Sequence, residues 1–379
     1  MLHDKEILLS TVVNELRDTF SNEYNIDITL YNGFVSSLVN ISLYDVTEQE
    51  AYLQQCKKII DKVLPQTIRS TEKVSPIVLT GIGFIEQFLI DKGVSKNQLL
   101  LNQLDEKLFK KAETLIRSRL IDIECGVQCI FHYFSCNPTQ EHLFCLERLK
   151  DELLKILTID NLGCRVINEG KADLTMPFGW AGLLMPLLKF FKEESPSVTG
   201  IINGGIKYFM SYKGDVDFSE NLFDFFPDKV IDENKEPLFS NQMSWAFGDL
   251  SKALLFYQYG QLSNNSEYTN LAHFIGLNTL TRREPHQHNV TRPTLLYGSS
   301  GIALIYQQLY QFTNMDAYQK GKLFWINKTQ QFLEQKSPLI SNAPNDDDVL
   351  NGTLGVKLAL LSCYSSKQLT WEKLYGMAL

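Results

Sequence analysis

Apolar residues in this chain recur with the period of an α-helix, and the alternation expected of strands is scarce. Ile302, Ile305, Tyr306 and Leu309 fall at i, i+3, i+4 and i+7, and Val356, Ala359, Leu360 and Cys363 repeat the pattern. Each such run follows two small residues three apart. The pairs are Gly33 and Ser36, Thr80 and Gly83, Gly126 and Cys129, Gly179 and Gly182, Gly248 and Ser251, Gly298 and Gly301, and Gly352 and Gly355. Seven units at a spacing of about fifty residues account for nearly the whole chain.

Between the apolar runs lie second helices that carry more charge. Thr47-x-x-Glu50 reads as a capping box ahead of Leu53, Cys56, Ile60 and Leu64. Pro138-Thr139 opens a segment with Leu143, Leu146, Leu149 and Leu153, and Asn314 opens another. One polar-faced and one apolar helix cannot bury their own surface, so each unit must pack on its neighbours. The small pairs would let neighbouring backbones approach closely. Neither end shows a polar-faced capping repeat, so the expectation is a closed ring, not an open solenoid. The predicted fold is all-α, a double-layered α/α toroid of seven helical hairpins forming a single domain over residues 1–379. The longest step between units contains an acidic, aromatic excursion at about 214–237, which is expected to lie over one mouth of the ring or simply to close a wider unit.

Composition narrows the function. Hydrophobic residues make up 44% and charged residues 21%, a balance that builds a large core and argues against disorder. The net charge of −8 provides no basic footprint for a phosphate backbone, so nucleic-acid binding is not expected. No basic segment followed by an apolar one opens the chain, and no stretch approaches the ~20 apolar residues of a membrane span. The seven cysteines are odd in number and sit mostly in apolar context, as in a reduced cytoplasmic protein.

Four strings resemble the lanthionine synthetase C-like family. IDIECGVQCIFHYF (121–134), DLTMPFGWAGLLMPLL (173–188), SWAFGDLSKALL (244–255) and LLYGSSGIALIY (295–306) resemble family segments in their order and spacing. The resemblance implies a toroid whose mouth holds a zinc ion on two cysteines and a histidine. That zinc activates a precursor-peptide thiol for addition to a dehydrated residue, forming a thioether ring. At those ligand positions this chain has Ala246, Leu296 and Tyr297, none of which can hold zinc, so no cofactor is expected. The family's histidine corresponds to Phe178 and its arginine to Gln242, and only the aspartate is retained, as Asp122. Asp122 is either a residual catalytic acid or a helix cap ahead of Gly126.

The replacements are aromatic. Phe178, Trp180, Trp245, Phe247 and Tyr297, with Gln242, are the candidate peptide-binding residues, and two readings of the aromatics stay open: a stacking pocket or a plugged core. Cys125, Cys129, His132 and Cys136 form one stripe at helical spacing that a displaced metal could use, although packing explains it as well. His286 and His288 make an incomplete site in a loop. Neither a phosphate-binding loop nor a nucleophile elbow is present. The functional expectation is a zinc-free, accessory member of the family, a pseudoenzyme that binds a ribosomally made precursor peptide and supports a dehydratase or another modifying enzyme. The alternatives are a cyclase or other peptide-modifying enzyme with a non-standard site, and a glycan-processing toroid using Asp122 with Asp249.

Overall fold

The computed structural model describes residues 2–20, 29–136, 138–190, 196–335, 347–365 and 367–377. The first half carries α1 (Leu2–Phe20), α2 (Leu30–Thr47), α3 (Glu50–Arg69), α4 (Pro76–Asp91), α5 (Gln98–Arg117), α6 (Gln128–Cys136), α7 (Gln140–Ile156), α8 (Trp180–Phe190) and α9 (Pro196–Ser211). The second half carries α10 (Asp249–Leu262), α11 (Ser266–Thr279), the single turn α12 (Pro285–His288), α13 (Ser299–Thr313), α14 (Asp316–Glu334), α15 (Thr353–Tyr364) and the short α16 (Thr370–Leu374).

The helices form two concentric layers. The inner layer is α2, α4, α6, α8, α10, α13 and α15, each packed on the next, and α1, α3, α5, α7, α9, α11 and α14 lie outside them. Helix α1 packs on both α2 and α15, which closes the ring. The layers follow from hydrophobic pattern. On α3 the stripe Leu53, Cys56, Ile60, Val63, Leu64 and Thr67 is buried while Lys58, Asp61, Lys62 and Arg69 are exposed. On α4 every residue from Pro76 to Glu86 is buried. The one carboxyl in that stretch, Glu86, accepts a hydrogen bond from the Ser95 hydroxyl.

The small pairs act mostly on their own chain. A Cβ at Gly182 would lie 1.7 Å from the Met176 carbonyl oxygen, one at Gly301 1.9 Å from that of Leu295, and one at Gly355 1.7 Å from that of Val349. The first glycines repeat the relation, Gly179 against the Asp173 oxygen at 2.3 Å and Gly298 against that of Arg292 at 2.4 Å. The lead-in loops of α8, α13 and α15 therefore fold back onto the first turn of their own inner helices. The close approach between neighbours expected from the sequence occurs at Gly83 of α4, where a Cβ would lie 3.0 Å from the Tyr133 hydroxyl of α6, and Gly81, outside the pairs, would strike the Phe34 ring of α2 at 2.2 Å.

Two capping expectations change. Thr47 belongs to the last turn of α2, where its hydroxyl donates to the Leu43 carbonyl (2.7 Å), and Gln49 precedes α3. Asn314 ends α13 in the left-handed region and does not start α14. Thr139 does cap α7, accepting from His142 N–H at 3.2 Å.

Short strands occur between α7 and α10. Strands β1 (Thr158–Asp160) and β2 (Gly163–Arg165) form a hairpin. Strand β3 (Lys171–Asp173) pairs antiparallel with β4 (Lys229–Ile231), which pairs with β5 (Glu236–Leu238), in the registers Ala172↔Val230 and Val230↔Pro237. The excursion after α9 is thus stitched to the preceding unit. Arg165, buried under it, pairs with Asp160 at 2.9 Å and with Asp232 at 2.7 Å.

The glycine contacts give a direct test. Gly355→Ala should cost about 1–3 kcal/mol, because the added methyl meets the chain's own carbonyl and neither can yield. Gly200→Ala, on an exposed helical face of α9 with nothing within 4 Å, should gain about 0.5–1 kcal/mol. Urea unfolding of both variants measures the contrast.

Candidate functional site

The lead-in loops gather at the N-terminal ends of the inner helices and form a collar around the mouth of the ring. Backbone bonds lace the collar: Ile123 N–H to Pro177 O (2.8 Å), Ala246 N–H to Leu296 O (3.1 Å) and Leu296 N–H to Leu350 O (2.9 Å). Four residues ahead of the helix-starting glycine, a side chain closes the loop. Asp122 Oδ1 accepts from Glu124 N–H (2.9 Å) and Cys125 N–H (2.7 Å). Asp348 Oδ1 accepts from Leu350 N–H (2.7 Å) and Asn351 N–H (3.0 Å), and Ser244 Oγ from Phe247 N–H (2.9 Å). Asp122 therefore occupies a capping position that recurs around the ring.

The residue just before each glycine points a different way. Phe178, Phe247 and Tyr297 hold this position and their half-buried rings form one group. The centroids of Phe247 and Tyr297 are 5.7 Å apart and stacked, those of Phe178 and Tyr297 are 6.2 Å apart, and those of Phe178 and Phe247 are 6.3 Å apart. Gln242 supports the group by donating from Nε2 to the Tyr297 carbonyl at 3.3 Å. Trp180 and Trp245 are not part of it. Trp180 is one residue past its glycine and 0% exposed, and Trp245, 2% exposed, packs its Cβ over Gly301. The first helical position of α8 turns Trp180 into the wall, and the lead-in loop of α10 does the same for Trp245, so the sequence-based grouping of five aromatics resolves into a trio at the mouth and two core residues.

Beside Phe178 lies a cleft of about 250 Å³, walled by Asp122, Arg119, Lys171, Asp173 and Lys229. Lys229 comes from β4 of the excursion and pairs with Asp173 at 3.0 Å. The collar is electrostatically negative on its other side. Burial, then Asp348 and Asp122, raise the pKa of Glu124. Burial, then Asp348 and Asp347, push Tyr31 up to about 12. The Cys125 thiol, exposed on the lead-in loop of α6, is raised by desolvation and by the Asp122 and Glu124 carboxylates.

The remaining candidates are scattered. Ala246 and Leu296 are each 1% exposed, and Tyr297 is engaged in stacking. Among the described residues no three His, Cys, Asp or Glu side chains come close enough to share a metal. The cysteine stripe is not one helical face, because α6 begins at Gln128 and leaves Cys125 in the loop. Cys129 and His132 are buried, and desolvation drives His132 down to about 3. His288 is buried against Trp325 (5.0 Å), its Nδ1 accepting from Val290 N–H at 3.0 Å, while His286 packs on Phe223.

Asp249 does not face the mouth with Asp122. It is 0% exposed, accepting from Phe225 N–H (2.6 Å) and Phe226 N–H (3.2 Å) of the excursion. Around it lies a buried charge cluster: Arg282 Nη1 to Asp224 (2.8 Å), Arg282 Nη2 to Asp249 (3.8 Å) and Lys252 Nζ to Asp228 (2.9 Å). Gly248, at φ 80°, donates its N–H to Asp228 at 3.0 Å. Three acids face two bases, and burial followed by the neighbouring Asp224 carries Asp249 up to about 7. The cluster clamps the excursion onto the start of α10. Sequence reading missed it because Asp224, Asp228, Lys252 and Arg282 come from three segments with no shared motif.

A closed double ring of helices with its lead-in loops gathered at one mouth defines an α/α toroid. The profile described as lanthionine synthetase C-like protein matches residues 25–375, and the chain belongs to that family. The fold is similar to that of nisin cyclase, with a TM-score of 0.73 at 14% identity over 97% of this chain and 96% of that one. No curated protein sequence matches the chain significantly. Among the described residues, no helix is long and apolar enough to cross a membrane.

Removing the Arg282 charge strands two buried acids, so Arg282→Met should lower the unfolding free energy by about 3–5 kcal/mol. The raised pKa of Asp249 means that its neutral form stabilises the fold. That contribution is complete below the free carboxyl's pKa of about 3.9 and is lost as pH rises towards about 7. Asp249→Asn should therefore flatten the decline in stability between pH 5 and pH 8, measured by denaturant titration at each pH.

Proposed function

We propose that this protein binds a ribosomally made precursor peptide on the Phe178, Phe247 and Tyr297 trio, without zinc, and serves peptide modification as an accessory protein and not as a thioether-forming cyclase. The observation that carries this reading is the chemistry of the mouth. Thioether formation needs a thiolate, and metal coordination is one way to remove the proton. The positions that would hold zinc present a methyl, an isobutyl and a stacked phenol. The groups around them act in the opposite sense. Cys125 reports the local field, and there burial, Asp122 and Glu124 all favour the protonated thiol. The same carboxylates would shift a peptide cysteine placed beside them towards its protonated form.

Binding is what the surface suits. Three half-buried rings supply a rigid, low-entropy platform, and the cleft beside Phe178 adds charges of both signs for side chains that flank the stacked residue. Asp122, with one oxygen committed to two backbone N–H groups, is a structural acid in this reading. The glycan-processing alternative draws no support from Asp249, which is enclosed by the charge cluster.

Purified without chelators, the protein should carry well under one zinc per chain by elemental analysis and should leave a dehydrated, cysteine-containing peptide uncyclised. Stoichiometric zinc lost on Cys125→Ala or Cys129→Ala, or ring closure seen by mass spectrometry, would overturn the proposal. In fluorescence titrations with the same peptide, Phe247→Ala should weaken binding about five- to tenfold, from the typical worth of an aromatic contact. Trp180→Ala should lower the melting temperature and leave the affinity of the folded fraction unchanged.

A further inference from the structure

The bore of the ring is filled by a segment of the chain itself. After α15, residues 367–377 turn back and run along the axis. At the end opposite the mouth, Thr370 donates its N–H (2.6 Å) and hydroxyl (3.0 Å) to the Asp45 carboxylate in the last turns of α2. Trp371 Nε1 donates to Ser362 Oγ near the end of α15 at 3.0 Å, and Cys136 Sγ, the last residue of α6, lies 3.5 Å from the Lys373 carbonyl. Helix α16 packs on α2, α4 and α6, all inner helices. Further along, Gly376 takes the left-handed conformation (φ 65°), and a Cβ there would sit 2.3 Å from the His132 ring. Tyr375 then reaches the groups beneath the mouth, where burial, Tyr31, Asp348 and Glu124 all raise its phenol pKa. Leu369, Trp371, Leu374, Tyr375 and Met377 are all buried. The segment therefore forms the floor of the mouth.

Its seat contains polar groups that an ordinary core would not. Glu372 is 0% exposed and accepts from Leu369 N–H at 3.0 Å, with the Ser362 hydroxyl beside it. His132 Nδ1, buried under Gly376, has no hydrogen-bond partner. The charged groups facing this end of the bore are Asp45 from α2, Lys92 at the end of α4, Lys189 on α8 and the segment's own Lys373. Asp45 is the charge acting on Glu372, and it has the same sign. An ionised carboxylate held there is costly, whereas the neutral acid is not.

We propose that residues 367–377 are a displaceable stopper in the bore, seated while Glu372 is a neutral acid and loosened when that carboxyl ionises, so that pH sets the depth of the mouth. Seated, Glu372 titrates near 7, chiefly because it is buried. Free glutamate titrates at about 4.3, so seating is strongest below that value, weakens steadily as pH rises to about 7 and is level above. Linkage between these two values makes the open fraction rise about tenfold from pH 6 to pH 8. The proposal does not rest on the peptide reading, and its test contains no peptide.

Native Cys136, half-buried with its Sγ against the Lys373 carbonyl, is the reporter, since unseating removes the cover that the segment supplies. The full-length protein is labelled with a maleimide at pH 6 and pH 8, and the rate at Cys136 is divided by that at exposed Cys125 using peptide mass spectrometry. The expected result is a rise of about tenfold in this ratio for the wild type and no rise for Glu372→Gln. An equal wild-type ratio at both pH values, or a rise that persists in the variant, overturns the proposal. Hydrogen exchange of the wild type decides the matter if the variant fails to fold. Protection of the amides in 370–377, corrected for intrinsic rates, should fall about tenfold relative to α15 over the same range, and unchanged protection counts against the stopper.

Discussion

The contact between lead-in loop and first turn of the inner helix governs the architecture at α8, α13 and α15. A carbonyl six residues upstream sits where a side chain would otherwise begin, at Gly182 against Met176, at Gly301 against Leu295 and at Gly355 against Val349. Only glycine removes the Cβ that would block this return. Once the loop is pinned, its other positions have no freedom. In three loops the residue four before the glycine, Asp122, Ser244 or Asp348, turns inward to cap the loop, and at Phe178, Phe247 and Tyr297 the residue just before the glycine points across the mouth. The stacking of Phe178, Phe247 and Tyr297 is thus a consequence of backbone packing repeated around a ring.

The same geometry makes the fold independent of which side chains stand in the collar. The collar is held by main-chain bonds such as Ala246 N–H to Leu296 O, which are indifferent to the side chains at those positions. Ala246 and Leu296 turn their side chains into the wall, where apolar groups are accommodated at no electrostatic cost. The carboxylates Asp122, Glu124 and Asp348 set the local field of the collar, and a field of that sign raises the pKa of the Cys125 thiol.

Polar burial elsewhere serves attachment. The cluster of Asp224, Asp228, Asp249, Lys252 and Arg282 seals the excursion onto α10, and Arg165 ties its strands to the hairpin before it. The cost of burying five charges is offset by the Arg282–Asp224 and Lys252–Asp228 pairs and by Asp249, whose raised pKa lets it hold its proton, although Arg282 Nε and Asp224 Oδ2 have no hydrogen-bond partner. The excursion is therefore a fixed wall of the cleft beside Phe178, to which it contributes Lys229.

Helical period and the seven small pairs were legible in the sequence, because core-facing residues on a helix must recur every three to four positions and a repeated unit must repeat its spacing. The ring, its two layers and the family follow from that pattern and from the order of the four strings. That Ala246, Leu296 and Tyr297 stand where the resemblance implies zinc ligands is a reading of the family strings, not of periodicity. Tertiary structure decided what periodicity cannot carry. It alone separated Phe178, Phe247 and Tyr297 from Trp180 and Trp245, since the fold of each lead-in loop and helix start, not a regular period, decides whether a ring faces mouth or wall. It alone assembled the charge cluster from distant segments and placed residues 367–377 in the bore, because such contacts join positions whose sequence separation leaves no local pattern.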